Sequence, residues 1–189
     1  TVTAAKLNDN VISGQTALAS APDDTDELLI SDAGTIKRID VSLVGGKNTP
    51  NFLVSKSGTQ SMDNATYTKV TWNVENIDSD SAFASDKFTA PSAGTYYFNT
   101  QLLVRIGQTT TNAIQFYKNG SAFRYAKYYR YGNDTANHTE TAEVIAALNA
   151  NDYMEVYHYT NIGASANRDL FGNDTADLAS TFSGFKLIT

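Results

Sequence analysis

Phe88-Thr89-Ala90-Pro91-Ser92-Ala93-Gly94-Thr95-Tyr96-Tyr97-Phe98 joins a turn to the start of a strand, and its continuation decides the fold. Pro91 fixes the backbone on the approach, and Gly94 allows a tight turn into the strand. From Thr95 to Arg105 the side chains alternate. Tyr96, Phe98, Leu102 and Val104 are apolar, with Thr100 the exception. Tyr97, Asn99, Gln101 and Arg105 occupy the other face, with Leu103 the exception there. Period two with one apolar face is the mark of a half-buried strand.

The same pattern continues outward. Ile114-Gln115-Phe116-Tyr117-Lys118 alternates, meets Asn119-Gly120 and resumes in Ser121-Ala122-Phe123-Arg124-Tyr125. Asn-Gly between alternating runs is a hairpin signal, because both residues tolerate positive φ. Val144-Ile145-Ala146-Ala147-Leu148 taken alone is compatible with a helix. The turn Asn149-Ala150-Asn151-Asp152 and the alternating run Tyr153 to Tyr159 that follow favour a strand over 139–148. A last strand is expected from Ser180 to Thr189. Short strands separated by turns give an all-β sandwich or barrel.

Residues 1–46 differ. Their apolar residues fall in small clusters: Ile12, then Leu28, Leu29 and Ile30, then Ile36, Ile39 and the run to Val44. Ile36 to Leu43 reads as a short two-faced strand, after a turn at Ser31-Asp32-Ala33-Gly34. Such pieces bury too little to stand alone, so 1–46 reads as an arm that orders on another chain. Residues 47–50 form the hinge by composition, and 51–189 the main domain.

The 189 residues are 41% hydrophobic, 11% aromatic and only 18% charged, below the ~25% usual for globular domains, with a net charge of −6. Nothing supplies the clustered cations a nucleic-acid partner needs. There is no cysteine, which excludes disulfides and thiol chemistry and fits assembly in a reducing bacterial cytoplasm. No apolar run reaches membrane-spanning length, and the first residues do not read as a secretory signal.

Phe88 to Phe98 resembles the central signature of the globular head of the complement collagen-like component, a relative of the tumour necrosis factor jelly roll. Leu148 to Val156 resembles that family's Leu-x-x-Gly-Asp turn, with Asn151 in place of the glycine, a residue that also enters the left-handed region. Phe182-Ser183-Gly184-Phe185-Lys186-Leu187 resembles its closing strand. The resemblance covers roughly residues 50–189. It implies a ten-stranded, two-sheet jelly-roll sandwich that forms a tight homotrimer. Tyrosines suit such a contact, being apolar at one end and wet at the other. Of the eleven in the chain, Tyr97, Tyr157 and Tyr159 lie on outward faces and are the candidates.

Ile12 to Leu18, Pro22 to Leu29 and Ser31 to Ile39 resemble a segment of tail-fibre-type proteins of marine bacteriophages. That resemblance implies a virion surface protein. Ile12, Leu28, Leu29, Ile30, Ile36 and Ile39 would attach the arm to another virion protein, and the head would face a host surface glycan or protein. A capsid decoration or short head fibre, and a bacterial adhesin or lectin domain, are the alternatives.

No catalytic motif occurs, so the chain is not read as an enzyme. His158 falls on an inward face with Met154 and Val156, and His138 has no motif near it. Tyr131-Gly132-Asn133-Asp134-Thr135-Ala136 recurs as Phe171-Gly172-Asn173-Asp174-Thr175-Ala176. These are either two turns built from the same favoured residues or related loops presenting Tyr131, Asn133, Asp134, Thr135, Phe171, Asn173, Asp174 and Thr175 to a ligand. No cofactor is expected. If a cation binds, Asp134 and Asp174 are oxygen donors of the kind Ca²⁺ takes. Arg124 to Tyr131 interleaves basic and aromatic residues. In an acidic domain this is read as a strand and loop with one packed face, and a sugar platform is the alternative.

Overall fold

Extended strands govern the backbone over most of the described residues. The computed structural model describes residues 16, 19–20, 22–23, 25–44, 48–105, 110–131, 137–162, 169–172 and 179–187. The chain divides into two compact units, Thr1–Lys47 and Asn48–Thr189.

In the first unit, β1 (Glu27–Asp32) and β2 (Thr35–Asp40) form an antiparallel hairpin, paired from Glu27 opposite Asp40 to Asp32 opposite Thr35. Ala33 and Gly34 turn it with φ of 50° and 85°, the conformation a two-residue hairpin loop demands. The strand expected over Ile36 to Leu43 stops at Asp40, and Val41–Leu43 form one 3-10 turn. The Val41 N–H donates to the Asp26 carbonyl at 2.8 Å, just past the last ladder pair of Glu27 and Asp40. Glu27 pairs with Arg38 at 2.6 Å, and Asp32 pairs with Lys37. The apolar side chains stay outside: Leu29 is 80% exposed and Ile36 67%.

The second unit is a two-sheet sandwich. Its strands are β3 (Asn51–Ser55), β4 (Thr59–Ser61), β5 (Thr66–Lys69), β6 (Val74–Asp78), β7 (Phe83–Ala84), β8 (Lys87–Thr89) and β9 (Gly94–Arg105), then β10 (Thr110–Lys118), β11 (Ser121–Tyr131), β12 (Asn137–Leu148), β13 (Tyr153–Ile162), β14 (Asp169–Phe171) and β15 (Thr181–Lys186). One sheet runs β11-β10-β13-β8-β7. The other runs β4-β14-β9-β15-β3-β6, with β12 also paired to β9. Beside β13, the fifth strand is tied by backbone bonds from Ala65 to Thr160 and from Val70 to Val156. The sandwich is cut into more segments than the ten strands expected. Left-handed residues at Ala65, Ser81, Ser85 and Asp86 interrupt pairing and leave pieces of two to four residues. Among the described residues no helix is long and apolar enough to cross a membrane.

The 88–98 stretch serves both sheets. Phe88 lies in β8 of the first sheet, Ala90 to Ala93 cross between layers, and β9 enters the second. The Tyr96 hydroxyl donates to the Ser92 carbonyl at 2.6 Å and holds this crossing. Tyr96, Phe98, Thr100, Leu102 and Val104 all point inward and are buried. Thr100 is tolerated there because its hydroxyl donates to the Thr181 carbonyl at 2.8 Å. Phe52 stacks on Phe88 at 4.9 Å and meets Phe182 edge-on at 4.9 Å, so the core is largely aromatic. Gly184 is where that core admits no side chain. A Cβ there would stand 2.6 Å from a Phe98 ring carbon and 2.8 Å from the Tyr97 carbonyl.

The Asn119-Gly120 hairpin forms as expected, with φ of 53° and 73°, and Asn151 takes the glycine-like φ of 70°. The two turns are bound together. Asn119 donates to Asp152 at 2.8 Å, Tyr153 N–H donates back to Asn119 at 2.9 Å, and Lys118 pairs with Asp152 at 2.8 Å. The hydrogen bonds from Lys118 and Asn119 and from the Asn149 N–H pull the Asp152 carboxyl down to about 2.

Candidate functional site

Both copies of the aromatic-Gly-Asn-Asp-Thr sequence leave from the neighbourhood of one strand end. Tyr131 closes β11 and Asn137 opens β12, where it pairs with Arg105 of β9. On the other flank of β9, Phe171 closes β14 and pairs with Leu103. The half-buried Phe171 accepts a bond from the Ser180 hydroxyl at 2.5 Å. Asn133, Asp134, Thr135, Asn173, Asp174 and Thr175 lie outside the described residues, as do Ile12 and the side chain of Tyr131. Among the described residues no group of three or more His, Asp or Glu is placed to hold a metal ion.

The three tyrosines singled out for self-contact fall on different sheets. Tyr97 lies on the outer face of the seven-stranded sheet, in a row that crosses three strands, Phe185–Tyr97–Ile145. Its ring is 5.3 Å from that of Phe185, and its hydroxyl donates to Glu143 at 2.7 Å. That bond, with some burial, raises the Tyr97 pKa. Ile145 ends the row 59% exposed. Leu53 and Ile77 pair on the same face, and Ile77 is also exposed. A cavity of 490 Å³ opens along the β11–β12 edge, lined by Tyr97, Arg124, Tyr125, Glu143, Val144 and Ile145.

Tyr157 and Tyr159 stand on the five-stranded sheet. Tyr157 stacks on Tyr117 at 3.8 Å. Tyr159 lies 5.1 Å from Tyr67, which in turn lies 6.1 Å from Tyr125. Between them run Ala113 and Gln115 of β10, which face outward yet are 0% and 3% exposed. Gln115 is opposite Tyr157 on one side and Tyr125 on the other, and Ala113 is opposite Tyr159. Small or flat residues along the centre of the sheet let the rings fold over it. Burial raises the pKa of Tyr67, Tyr117 and Tyr157, so all three hydroxyls keep their protons at neutral pH. Nothing in local alternation marks Tyr67 as part of this cluster, because β5 joins it only through the tertiary fold.

His158 is buried as expected, and its partner is one the sequence reading missed. Glu140 of β12 lies wholly inside the sandwich, 3.0 Å from His158 Nε2, and accepts from Asn112 Nδ2 at 2.7 Å. The other ring nitrogen, Nδ1, has no partner. The contact gives the buried imidazole and the buried carboxyl each a polar partner. His158 and Glu140 are both buried, and with Asn112 they join strands of the two sheets as a structural contact between the layers. Continuing the β12 alternation back from Leu148, Ala146, Val144 and Ala142 brings Glu140 to an inward position, the signal that could have located it.

The comparisons agree with this architecture. No curated protein sequence matches the chain. The globular domain of zebrafish complement 1qA superposes with a TM-score of 0.52 at 15% identity, covering 74% of this chain and 98% of that one. Murine APRIL superposes with a TM-score of 0.50 at 14% identity, covering 72% and 98%. Similarity at this level establishes the jelly-roll fold. The sequence itself matches the C1q domain over residues 51–187, and the chain therefore belongs to the C1q domain family.

Proposed function

We propose that this chain is a non-enzymatic structural protein of a bacteriophage particle: a homotrimeric C1q-type head, turned toward the host surface and anchored to another virion protein by its N-terminal unit. Heads of the C1q and tumour necrosis factor type are binding and structural modules and typically form homotrimers. The row Phe185–Tyr97–Ile145 is the apolar surface that a neighbouring copy would cover. Its pairing of packed aromatic rings with an open aliphatic end suits an interface core. Each copy would bring the same row around a threefold axis.

The observation that carries the anchor is the exposure of the hairpin. A lone two-stranded ribbon is marginal in water, and this one keeps Leu29 and Ile36 outside. Burying two such side chains stabilises a contact by about 1.5–3 kcal/mol each. The test is incorporation into particles. Leu29→Asp with Ile36→Asp, supplied in place of the wild type, is expected to leave the trimer intact. It should lower the copies per particle, counted by quantitative mass spectrometry, at least tenfold. Undiminished incorporation removes the anchor, and absence of the wild-type chain from purified particles removes the virion role.

A further inference from the structure

The outer face of the five-stranded sheet has the makings of a ligand surface. Five tyrosines share this face in two ring clusters: Tyr117 stacks on Tyr157 at 3.8 Å, and Tyr67 meets Tyr159 at 5.1 Å and Tyr125 at 6.1 Å. Each ring is braced by its neighbours or by the sheet, so little side-chain freedom remains to be lost on binding. Four of the five are half-buried, and Tyr125 at the edge is 66% exposed.

Among the described residues two ion pairs flank this layer, and Arg124 stands beside Tyr125 at its edge. Glu155 pairs with Lys69 at 2.8 Å and Asp152 with Lys118 at 2.8 Å. Lys87 lies over the ring of the adjacent Tyr153 at 4.3 Å. Among the described residues the exposed large aliphatic side chains all lie elsewhere, on the hairpin unit or on β6 and β12. Tyrosine serves protein contacts as well as sugars, and the lack of exposed aliphatic surface beside these rings favours a ligand rich in hydroxyls. A surface of aromatic faces and phenol hydroxyls flanked by ion pairs suits a ligand that is itself uncharged and amphipathic.

We propose that this tyrosine layer binds a neutral saccharide. The C–H faces of a pyranose ring carry partial positive charge and stack on the negative face of a tyrosine ring. The sugar hydroxyls exchange hydrogen bonds with the phenols around them. Tyr67, Tyr117, Tyr157 and Tyr159 lie on the sheet opposite to the one that carries the Phe185–Tyr97–Ile145 row, and Tyr125 at the edge also lines the cavity beside Tyr97 and Ile145. The saccharide surface does not depend on the virion reading, because it concerns the isolated protein.

The purified full chain applied to an array of neutral and acidic oligosaccharides tests this. Binding to one or more neutral glycans is expected. Tyr125→Ala and Tyr157→Ala should each weaken binding at least tenfold, with the trimer mass unchanged for Tyr157→Ala. Tyr157→Phe, which keeps the stack, should weaken it less than Tyr157→Ala. Binding to acidic glycans alone, to none, or binding that both alanine variants leave intact overturns the proposal. A trimer that binds no neutral glycan sinks the saccharide surface and leaves the trimer standing. A glycan-binding monomer does the reverse.

Discussion

The two outer faces of the sandwich come from strands with the same alternation, yet they are finished differently. On the seven-stranded sheet the outward row Phe185–Tyr97–Ile145 ends in an open aliphatic side chain. On the five-stranded sheet the outward positions at the centre are Ala113 and Gln115, and tyrosines from β5, β10, β11 and β13 close over them. One face leaves apolar surface for another chain to cover. The other covers itself with groups that tolerate water. Period two decides which residues face outward. What then happens to them depends on side-chain size at the centre of the sheet and on which strands the fold brings alongside.

The contrast can be broken by charge. Ile145→Asp would leave an unpaired carboxylate in the proposed contact, so the trimer's apparent dissociation constant should rise at least about a hundredfold. The exposed position means that the monomer should still fold, as checked by circular dichroism. Light scattering that still reports a trimer would put the contact elsewhere. A change in the shared core should damage both faces together. Gly184→Ala forces a Cβ against Phe98 and the Tyr97 carbonyl and is expected to cost about 1–3 kcal/mol in urea unfolding. An unchanged midpoint would show that β15 can shift to make room.

The tyrosine face should respond more quietly. Tyr67 meets Tyr125 and Tyr159 through its ring, so Tyr67→Leu should lose about 0.5–1.5 kcal/mol without altering the trimer. Loss of the trimer in this variant would mean that the two faces are not independent. The smallest effect is expected from acid. Asp152 is held at about 2 against an ordinary 3.8. A carboxyl lowered in the folded chain contributes stability that is fully present above its unfolded value and is lost as the pH falls through the folded one. The tie between the two turns should therefore weaken between about pH 4 and pH 2. Asp152→Asn should flatten that part of the stability profile, and an identical profile in the variant would assign the acid response to other groups.

Much of the fold was legible because its signals are local. The Tyr96 to Val104 alternation, the Asn119-Gly120 turn and the left-handed Asn151 each depend on neighbours in sequence, and each stands where the pattern put it. What could not be read was tertiary. Tyr97 and Tyr157 look alike as outward residues of alternating strands, but β9 and β13 belong to opposite sheets. Strand order is set by pairing between distant segments. Glu140 was missed because a carboxylate at an inward position makes sense only once Asn112 and His158, from two other strands, are seen around it.

The assembly state tests the account most directly. Light scattering of the purified chain at low micromolar concentration should give the mass of three copies, with no dependence on dilution across that range. A particle with the mass of a single chain would contradict the trimeric head and leave the Phe185–Tyr97–Ile145 row without its proposed partner.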